Sequence, residues 1–476
     1  MTMMLTAICL PVLGGAGLLL CKEPARKTRE IFLFLLSLMT SLLVFGAMEQ
    51  GGQVELLSIH PALTLAFRLD ELSGAFLRIL AVLWPIALLY SFEYMSHEHN
   101  EKWFFAFFTM TYGVVLAIAA AANLFTLYLF YELLTLVTLP LVMHEMDGKA
   151  RFAGRRYILF SMTGAALAFS GMVILAGYGS LDFAVAGGTS LDLSLTGGRE
   201  ALLRWAFLLC FFGFGVKAAV WPGHMWLPAA SVAPTPVSAL LHAVAVVNSG
   251  VFAILRVTYC NFGPELLRNS FAQWLMMAAC TFTILFGSCM SWRMDYLKRR
   301  LAYSTVSNLS YILLAASAMS GAGLSGALMH MTAHSVFKII LFFAAGAILC
   351  QSGREYISRM AGLGRQMPLT FAAFLVASLG LIGIPPLAGF ESKWAVAQAL
   401  VGVDHPAAAA GLAALVLSAF LTGLYQIMVL VPAFFPTVEQ QELAKENRAF
   451  SDPGWKMKTS FVLLTLLALL LGRWLS

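Results

Sequence analysis

The sequence predicts an all-α polytopic membrane protein with about fourteen transmembrane helices. Hydrophobic residues make up 60% of the 476 positions and charged residues only 11%, far below the roughly 25% charged residues of soluble globular domains. Apolar segments long enough to cross a hydrocarbon core of about 30 Å as helices recur along the whole chain. This repeated pattern excludes a soluble globular fold.

The predicted helices cover most of the chain. Their approximate ranges are 2–21, 31–48, 72–92, 104–122, 124–143, 155–177, 203–220, 237–259, 271–292, 300–318, 324–349, 369–400, 407–431 and 458–475. The first has no basic segment before its apolar run, and its positive charges follow the run, at Lys22, Arg26 and Lys27. This order favours a retained helix over a cleaved signal peptide.

The distribution of Lys and Arg predicts the orientation. If the N-terminus lies outside, most of these residues fall on the cytoplasmic side, in clusters near 22–29, 149–156, 293–300, 354–365 and 445–458. The few assigned to the outside include Arg68 and Arg256. Because Lys and Arg accumulate in cytoplasmic loops, we expect both termini outside. The net charge of +6 is thus an orientation signal and does not indicate nucleic-acid binding.

The cysteines and histidines do not predict a metal or cofactor site in this chain. Seven cysteines are scattered without a C-x-x-C pair, so neither an iron–sulfur cluster nor a zinc site is expected. His330 and His334 could form a metal pair, but no carboxylate or cysteine accompanies them in their segment. A haem would need histidines matched across helices, for which His242 could serve.

A short set of ionisable residues remains inside the predicted helices. They are Arg78, Glu132, Lys217, His242, His330, His334, Lys338 and Lys393, and His224 lies just past a helix break. Such residues are costly in hydrocarbon and mark ion or proton pathways. Arg78 alone has no assigned role and is interpreted as a packing or interfacial residue.

Glu132 and Lys217 form the first candidate pair. A carboxylate in a long apolar segment must be protonated or paired with a cation. A movable contact between a glutamate and a buried lysine can switch the lysine between proton-holding and proton-releasing states. The alternative is a static ion pair that fixes the register of two helices.

His330, His334 and Lys338 occupy positions i, i+4 and i+8 of one apolar segment. On a helix they stack along a single face over about 12 Å. A neutral histidine accepts a proton on one ring nitrogen and donates from the other. The three residues, called the central row below, therefore predict a proton wire.

Prolines predict breaks in two helices. Pro222 and Pro228 interrupt the seventh helix, and Pro385 and Pro386 interrupt the twelfth. Prolines inside a membrane are tolerated where a cavity or a partner satisfies the freed backbone groups.

The positions of these breaks predict an internal duplication within a single membrane domain, 1–476. Helices 4–8 (residues 104–259) and 9–13 (residues 271–431) form two inverted five-helix repeats, each with its broken helix in fourth place. Peripheral N-terminal helices (1–103) and a C-terminal helix (458–475) complete the domain. Inverted repeats with broken helices are a recurring transporter plan.

Five segments carry motifs specific enough to indicate a family. They are YEL at 131–133, GVKAAVWPGHMWLPAASVAPTPVSALLHAVAVVNSGVFAILR at 215–256, DYLKRRLAYSTVSNLSY at 295–311, HMTAHSVFK at 330–338, and MPLT…GIPPLAGFESKW between 367 and 394. With them the chain resembles the antiporter-like membrane subunits shared by respiratory complex I, energy-converting membrane hydrogenases and multi-subunit sodium/proton antiporters. The resemblance covers most of the chain.

The resemblance implies a role for each candidate residue. Glu132 and Lys217 match the glutamate–lysine switch of the family, and Lys393 matches its terminal proton-exchange lysine. His242 and the central row match its central polar axis. Two positions depart from the family pattern: Asn248 stands where many members carry a second lysine, and Trp394 stands where several carry an acidic residue.

The predicted function is that of a proton-translocating subunit in a redox-driven complex, such as NADH:quinone oxidoreductase or an energy-converting membrane hydrogenase. The resemblance implies a bacterial or archaeal cytoplasmic membrane, homologous membrane subunits as partners, and peripheral redox subunits that hold iron–sulfur clusters and nickel–iron or flavin. Protons, or sodium ions, would be transported within surrounding lipid. The alternatives are a subunit of a multi-subunit sodium/proton antiporter and a non-translocating structural membrane subunit.

Overall fold

Long helices account for most of the chain, as expected. The computed structural model describes residues 1–22, 24–60, 63–192 and 195–475. In this part of the chain, eleven helices are long and apolar enough to cross a membrane. The predicted class, an all-α polytopic membrane protein, is therefore confirmed.

The N-terminal part contains three long helices and one hairpin. Its elements are α1 (Thr2–Leu20), α2 (Arg26–Gln50), β1 (Gln53–His60), β2 (Leu63–Arg68) and α3 (Glu71–Tyr94). β1 and β2 pair antiparallel, and most of β1 is exposed. The hairpin was not predicted, because its short apolar segments resemble the helices on either side more than alternating strands. It marks what we call the hairpin end of the bundle. The opposite end, which carries the Lys and Arg clusters near 22–29, 149–156 and 293–300, is called the basic end.

A buried ion pair joins the hairpin end to the middle of the chain. Asp70 accepts a hydrogen bond from the backbone N–H of Ser73 at the start of α3 (2.9 Å). Both oxygens of Asp70 also accept hydrogen bonds from the guanidinium of Arg256, each at 2.7 Å. Arg256, which the sequence assigned to the outer side at the end of the predicted helix 237–259, is only 1% exposed and therefore lies inside the protein.

The charge of Arg256 controls the titration of Asp70. Burial raises the pKa of Asp70, but the hydrogen bonds and positive charge of Arg256 lower it more, and the pKa falls from the usual 3.8 to about 2. A carboxyl group with a lowered folded-state pKa stabilises the fold above its unfolded pKa and loses that contribution as the pH falls through the folded value.

Asp70→Asn is expected to destabilise the protein by about 3–5 kcal/mol, because it leaves the Arg256 charge buried and unpaired. Thermal unfolding of the purified protein in detergent measures the loss. In the unsubstituted protein, protonation of Asp70 between about pH 4 and pH 2 should remove about 2 kcal/mol, the equivalent of its pKa shift. Asp404→Asn is the control, since Asp404 is exposed. Equal unfolding temperatures for the two variants would contradict this account.

Four helices follow and lead to the first break. They are α4 (Glu101–Ala119), α5 (Leu124–Val142), α6 (Gly148–Ala176) and α7 (Glu200–Gly215). Asn123 caps α5 by accepting from Thr126 N (2.7 Å), and Asp147 caps α6 by accepting from Ala150 N (2.6 Å). These caps satisfy N–H groups that a helix start leaves unpaired.

The break after α7 begins earlier than predicted. The helix ends at Gly215, so Lys217 lies in the break itself and not in a helix that continues to residue 220. Ala219 has a φ of +57°, a conformation that non-glycine residues rarely adopt. Pro228 lies inside a short helix, α8 (Trp226–Ala229). The structure thus separates the roles of the two prolines, since only Pro222 belongs to the break.

The segment predicted as one helix over 237–259 alternates between helix types. It contains α9 (Thr235–Ala239), a π-helical turn (Leu240–Val244), α10 (Val246–Arg256), a second π-helical turn (Val257–Phe262) and α11 (Pro264–Leu267). π-helical turns occur frequently at functional sites, and the first of these turns holds His242.

The second half of the chain contains the remaining long helices. They are α12 (Phe271–Arg293), α13 (Leu297–Ala316), α14 (Gly321–Ser352), α15 (Leu363–Gln366), α16 (Pro368–Ile382), α17 (Ala388–Val401), α18 (Pro406–Phe434), α19 (Gln441–Glu446) and α20 (Trp455–Leu475). Short 3₁₀ turns lie at Met95–His97, Gly223–Met225, Ala230–Val232, Ile357–Arg359, Val438–Gln440 and Asn447–Ala449. The break predicted from Pro385 and Pro386 is present between α16 and α17.

Helix α13 is almost wholly enclosed by protein. It packs against α10, α12, α14 and α17, and nearly all of its residues are buried. This position explains its many Ser, Thr and Asn residues, because polar side chains inside a membrane are tolerated where they face protein. It also explains why α13 is less apolar than the eleven helices above. The total of fourteen helices and the inverted repeats stay predictions.

Candidate functional site

Lys217 is fully buried beside α5. Its exposed fraction is 0%, and its ammonium group donates a short hydrogen bond to the backbone carbonyl of Tyr131. The same nitrogen lies 3.4 Å from the centre of the Tyr131 ring, where a cation is stabilised by the π-electrons. A carbonyl and a ring face therefore hold the lysine.

Glu132 is the next residue along α5, but it does not form a salt bridge with Lys217. One of its carboxyl oxygens is buried without a protein hydrogen-bond partner. The two side chains are nevertheless close enough to interact electrostatically. The structure therefore brings the predicted pair together. The ammonium of Lys217 is bonded to the carbonyl of Tyr131, and one carboxyl oxygen of Glu132 is available to accept a hydrogen bond from it.

Helix α10 approaches the break at Gly250. A Cβ atom at this position would lie 2.5 Å from Ala218 N and 2.9 Å from Lys217 C, so only glycine permits this approach. Two residues earlier on the same helix, Asn248 donates hydrogen bonds to Ala243 O (3.0 Å) and Ser335 Oγ (2.8 Å). α10 thus contacts both the backbone of Lys217 and the helix that carries the central row.

His242 lies in the first π-helical turn and is fully buried. Its ring stacks on Phe342 with centroids 4.7 Å apart, and neither ring nitrogen has a protein hydrogen-bond partner. It lies within electrostatic range of Lys338 and of Lys298. His242 therefore links the first π-helical turn to the central row.

The central row lies inside the bundle on α14, as predicted. His330, His334 and Lys338 are at most 2% exposed. Lys338 donates to Ser304 Oγ (2.7 Å) and Leu301 O (3.1 Å), both on α13. His334 has no protein partner at either ring nitrogen.

The hairpin-end member of the central row contacts α17. His330 Nδ1 lies 3.0 Å from Ser392 Oγ, and its Nε2 has no protein partner. Ser392 directly precedes Lys393, so the central row continues to the second break.

Lys393 follows the second break and is 8% exposed. Its ammonium donates to Leu381 O (2.7 Å) and Ile382 O (3.0 Å). These are the last carbonyls of α16, where the helix dipole favours a positive charge. The nitrogen also lies 5.3 Å from the Tyr311 ring. The second break therefore stabilises a lysine through carbonyls, as the first one does.

Several polar residues at the site were not predicted. Ser304 and Ser392 contact the row directly, as described above. Lys298, assigned from sequence to a cytoplasmic cluster, is 6% exposed and donates to Ala233 O at 3.1 Å. Serines give no sequence signal inside a helix, but a lysine within the motif at 295–311 could have been recognised.

Two further residues of the predicted set lie apart from these contacts. His224 is 4% exposed, its ring meets Phe286 edge to face, and its Nδ1 has no protein partner. Arg78 lies on an exposed face of α3 and does not join the site. Within the described ranges, no group of three His, Cys, Asp or Glu side chains could hold a metal ion.

The contacts divide the predicted residues into two groups. Glu132 and Lys217 form the first, and His242, the central row and Lys393 form the second. No hydrogen bond between described side chains joins the two groups directly, and Gly250 and Asn248 on α10 lie between them. Buried polar atoms without a protein partner recur along both groups, which is unusual because buried polar groups are normally hydrogen-bonded.

Two broken helices around buried lysines and histidines define an antiporter-like polytopic membrane subunit. A model of the family described as "NADH:quinone oxidoreductase/Mrp antiporter, TM" matches residues 121–422, more than half of the chain. The chain belongs to this family.

Relatives agree with this assignment, and a solved structure shares the fold. NADH-quinone oxidoreductase subunit L of Mycobacterium tuberculosis is 30% identical over 393 residues, covering 82% of this chain and 60% of that protein. Hydrogenase-4 component B of Escherichia coli is 34% identical over 365 residues, covering 73% of this chain and 52% of that protein. The chain thus matches only part of these longer relatives. A chain of the membrane-bound sulfane sulfur reductase, an archaeal respiratory membrane complex, has the same fold, with a TM-score of 0.84 and 20% identity. The match covers 99% of this chain and 94% of that chain.

Proposed function

We propose that this chain is a proton-translocating membrane subunit of a redox-driven complex in a bacterial or archaeal cytoplasmic membrane. The observation that supports it most is the series of buried ionisable side chains from Glu132 to Lys393, which runs across α5, the first break, the first π-helical turn, α14 and α17. Ionisable residues are rare in hydrocarbon and typically mark ion or proton pathways. We take the basic end as cytoplasmic, with both termini outside.

The first step of the proposed pathway is a switch at Lys217. Its ammonium contacts the carbonyl of Tyr131, and the carboxylate of Glu132 is the next polar group along α5. Movement of the ammonium toward Glu132 would favour the charged lysine, and movement away would release a proton. The absence of a salt bridge between these two described residues supports the switch over a static ion pair.

The next steps pass through His242 and the central row. Four ring nitrogens, two each on His242 and His334, lack a protein partner. Water molecules are the partners that such atoms require, since a buried water typically bonds otherwise unsatisfied polar groups. A neutral imidazole between waters passes protons in either direction. The row would thus carry charge laterally from the first break toward the second.

Lys393 is the proposed exchange residue at the far end of the pathway. The carbonyls of Leu381 and Ile382 stabilise its charged form, while the nearby break leaves it slightly exposed. A proton held there can leave toward the hairpin end, which we take as the outside.

The free energy for transport would come from partner subunits. The sequence predicts no redox cofactor in this chain, and two of its relatives are named as parts of an NADH-quinone oxidoreductase and a hydrogenase. We therefore place iron–sulfur clusters, with nickel–iron or flavin, in peripheral subunits of the same complex, beside homologous membrane subunits. The second candidate is a multi-subunit sodium/proton antiporter, which the family also includes.

Purification of the intact complex distinguishes these two functions. The chain, tagged in its native host and solubilised in mild detergent, is expected to co-purify with iron–sulfur or nickel subunits. Elemental analysis and mass spectrometry of the complex measure this. A complex that contains only membrane subunits, with no iron or nickel, would remove the redox-driven proposal and leave the antiporter.

A further inference from the structure

A basic pocket lies at the basic end of the bundle, between α6, the first break and the start of α13. Its volume is about 620 Å³, and its charged lining residues are Lys149, Arg156 and Arg299. No Asp or Glu is among the described residues that line it. Three cations without a facing carboxylate create a positive potential that favours an anionic ligand.

The two arginines contact uncharged groups of the chain. Arg156 reaches Met225 Sδ at 3.8 Å and lies 5.5 Å from the Phe152 ring. Arg299 lies 5.6 Å from the Tyr296 ring. Because these contacts use little of the hydrogen-bonding capacity of a guanidinium, both side chains retain donors for a phosphate, which arginine binds well.

The acidic residues nearest in sequence are engaged elsewhere. Asp147 accepts from Ala150 N at the start of α6 (2.6 Å). Asp295 accepts from Ser358 N (3.0 Å) and from Ser358 Oγ (2.7 Å). Among the described residues, neither carboxylate forms an ion pair with Lys149, Arg156 or Arg299.

An apolar groove of about 670 Å³ begins at the same place. Leu159, Phe160 and Leu167 of α6 form one wall, and Trp205, Leu208, Leu209 and Phe212 of α7 form the other. Val216, Val220 and Pro222 of the break form the end of the groove next to the pocket. Thr163 is the one hydroxyl residue among its described lining residues. The α7 wall from Trp205 to Phe212 is roughly 10 Å long at the helical rise per residue, and the break extends the groove beyond it.

Met225 lines both the pocket and the groove and is 41% exposed. A ligand that fills both must carry an anion at one end and a long apolar chain at the other. We propose that an anionic phospholipid binds here, with its phosphate between Lys149, Arg156 and Arg299 and an acyl chain in the groove between α6 and α7.

Two other occupants fit only part of this surface. A free phosphate ion would use the three cations and leave the groove uncovered, while an apolar helix of a partner subunit would fill the groove and leave the cations unpaired. Basic pockets between transmembrane helices at the cytoplasmic side are a known type of anionic-lipid site. The lipid would also form part of the outer wall of the break that holds Lys217.

Photo-crosslinking in nanodiscs tests the proposal. The intact complex, with a benzophenone amino acid in place of Leu159, is reconstituted into an equimolar mixture of phosphatidylglycerol and phosphatidylcholine. Mass spectrometry then identifies the crosslinked product. We expect phosphatidylglycerol to be enriched by roughly tenfold or more, because each basic side chain at a membrane surface favours an anionic lipid severalfold.

Two pairs of variants define the headgroup and chain contacts. The triple variant K149Q/R156Q/R299Q should reduce the crosslinked lipid to the composition of the bilayer, whereas K22Q/K27Q/K458Q, which removes three exposed charges at the same end, should not. Thr163→Trp should fill the groove and lower total lipid crosslinking severalfold. Met162→Trp is its control, because Met162 is exposed beside the groove without lining it.

Three results would overturn the proposal. The first is a crosslinked lipid composition equal to that of the bilayer in the unsubstituted complex. The second is crosslinking to a protein segment, which would assign the groove to a partner subunit. The third is loss of the enrichment when inorganic phosphate is added at constant ionic strength, which would assign the pocket to free phosphate.

Discussion

Proton translocation by the assembled complex is expected to fall at least about tenfold when Lys217 is replaced by alanine. The ammonium of Lys217 is the only charged donor that the described residues bring to Tyr131 O and the neighbouring carboxylate of Glu132. A positioned proton-transfer group contributes roughly 10²- to 10⁴-fold to a rate. Without it, Glu132 has no cation with which to alternate. Quenching of an acridine dye in inverted membrane vesicles, energised by the substrate of the complex, measures the effect.

The control for this variant is Cys210→Ala. Cys210 is also fully buried, lies on α7 before the break, and makes only a weak contact with Ala168 O at 3.7 Å. It should retain full translocation. Unchanged translocation in Lys217→Ala, with the complex intact on a sizing column, would instead identify the chain as a structural membrane subunit.

The site residues that the sequence predicted share one property. Glu132, Lys217 and Lys338 stand in long apolar segments, where a charge is too costly to occur without a reason. The structure buries all three at least in part and places the two breaks near the predicted prolines. The free-energy cost of burying a charge applies to each residue separately. Such residues can therefore be identified from the sequence without knowing which helices pack together.

Features that depend on distant contacts were not predictable in the same way. Asp70 and Arg256 are 186 residues apart in the chain, and Arg256 at a helix end looked like an interfacial charge. Ser304 became part of the site only when α13 packed against α14. The lipid-binding surface likewise requires α6, α7 and α13 to meet, and no segment of the sequence contains it alone.

Lys338→Met is the second variant with a large expected effect: proton translocation should fall at least about tenfold. The substitution removes the charge that lies between His242 and the histidines of the central row. Lys338 lies within electrostatic range of His242, His334 and Lys393. A proton at any of these positions therefore affects the others, and its removal at Lys338 should disconnect the two breaks. Dye quenching in inverted vesicles measures the loss.

Thr332→Val is the matched control for Lys338→Met. Thr332 lies on the same helix between the two histidines of the central row, but its hydroxyl donates only to Leu328 O of α14 itself (2.9 Å). Loss of translocation in both variants would indicate that α14 tolerates no change of packing. Loss in Lys338→Met alone would show that the charge carries the function, since methionine keeps most of the side-chain volume while removing the ammonium.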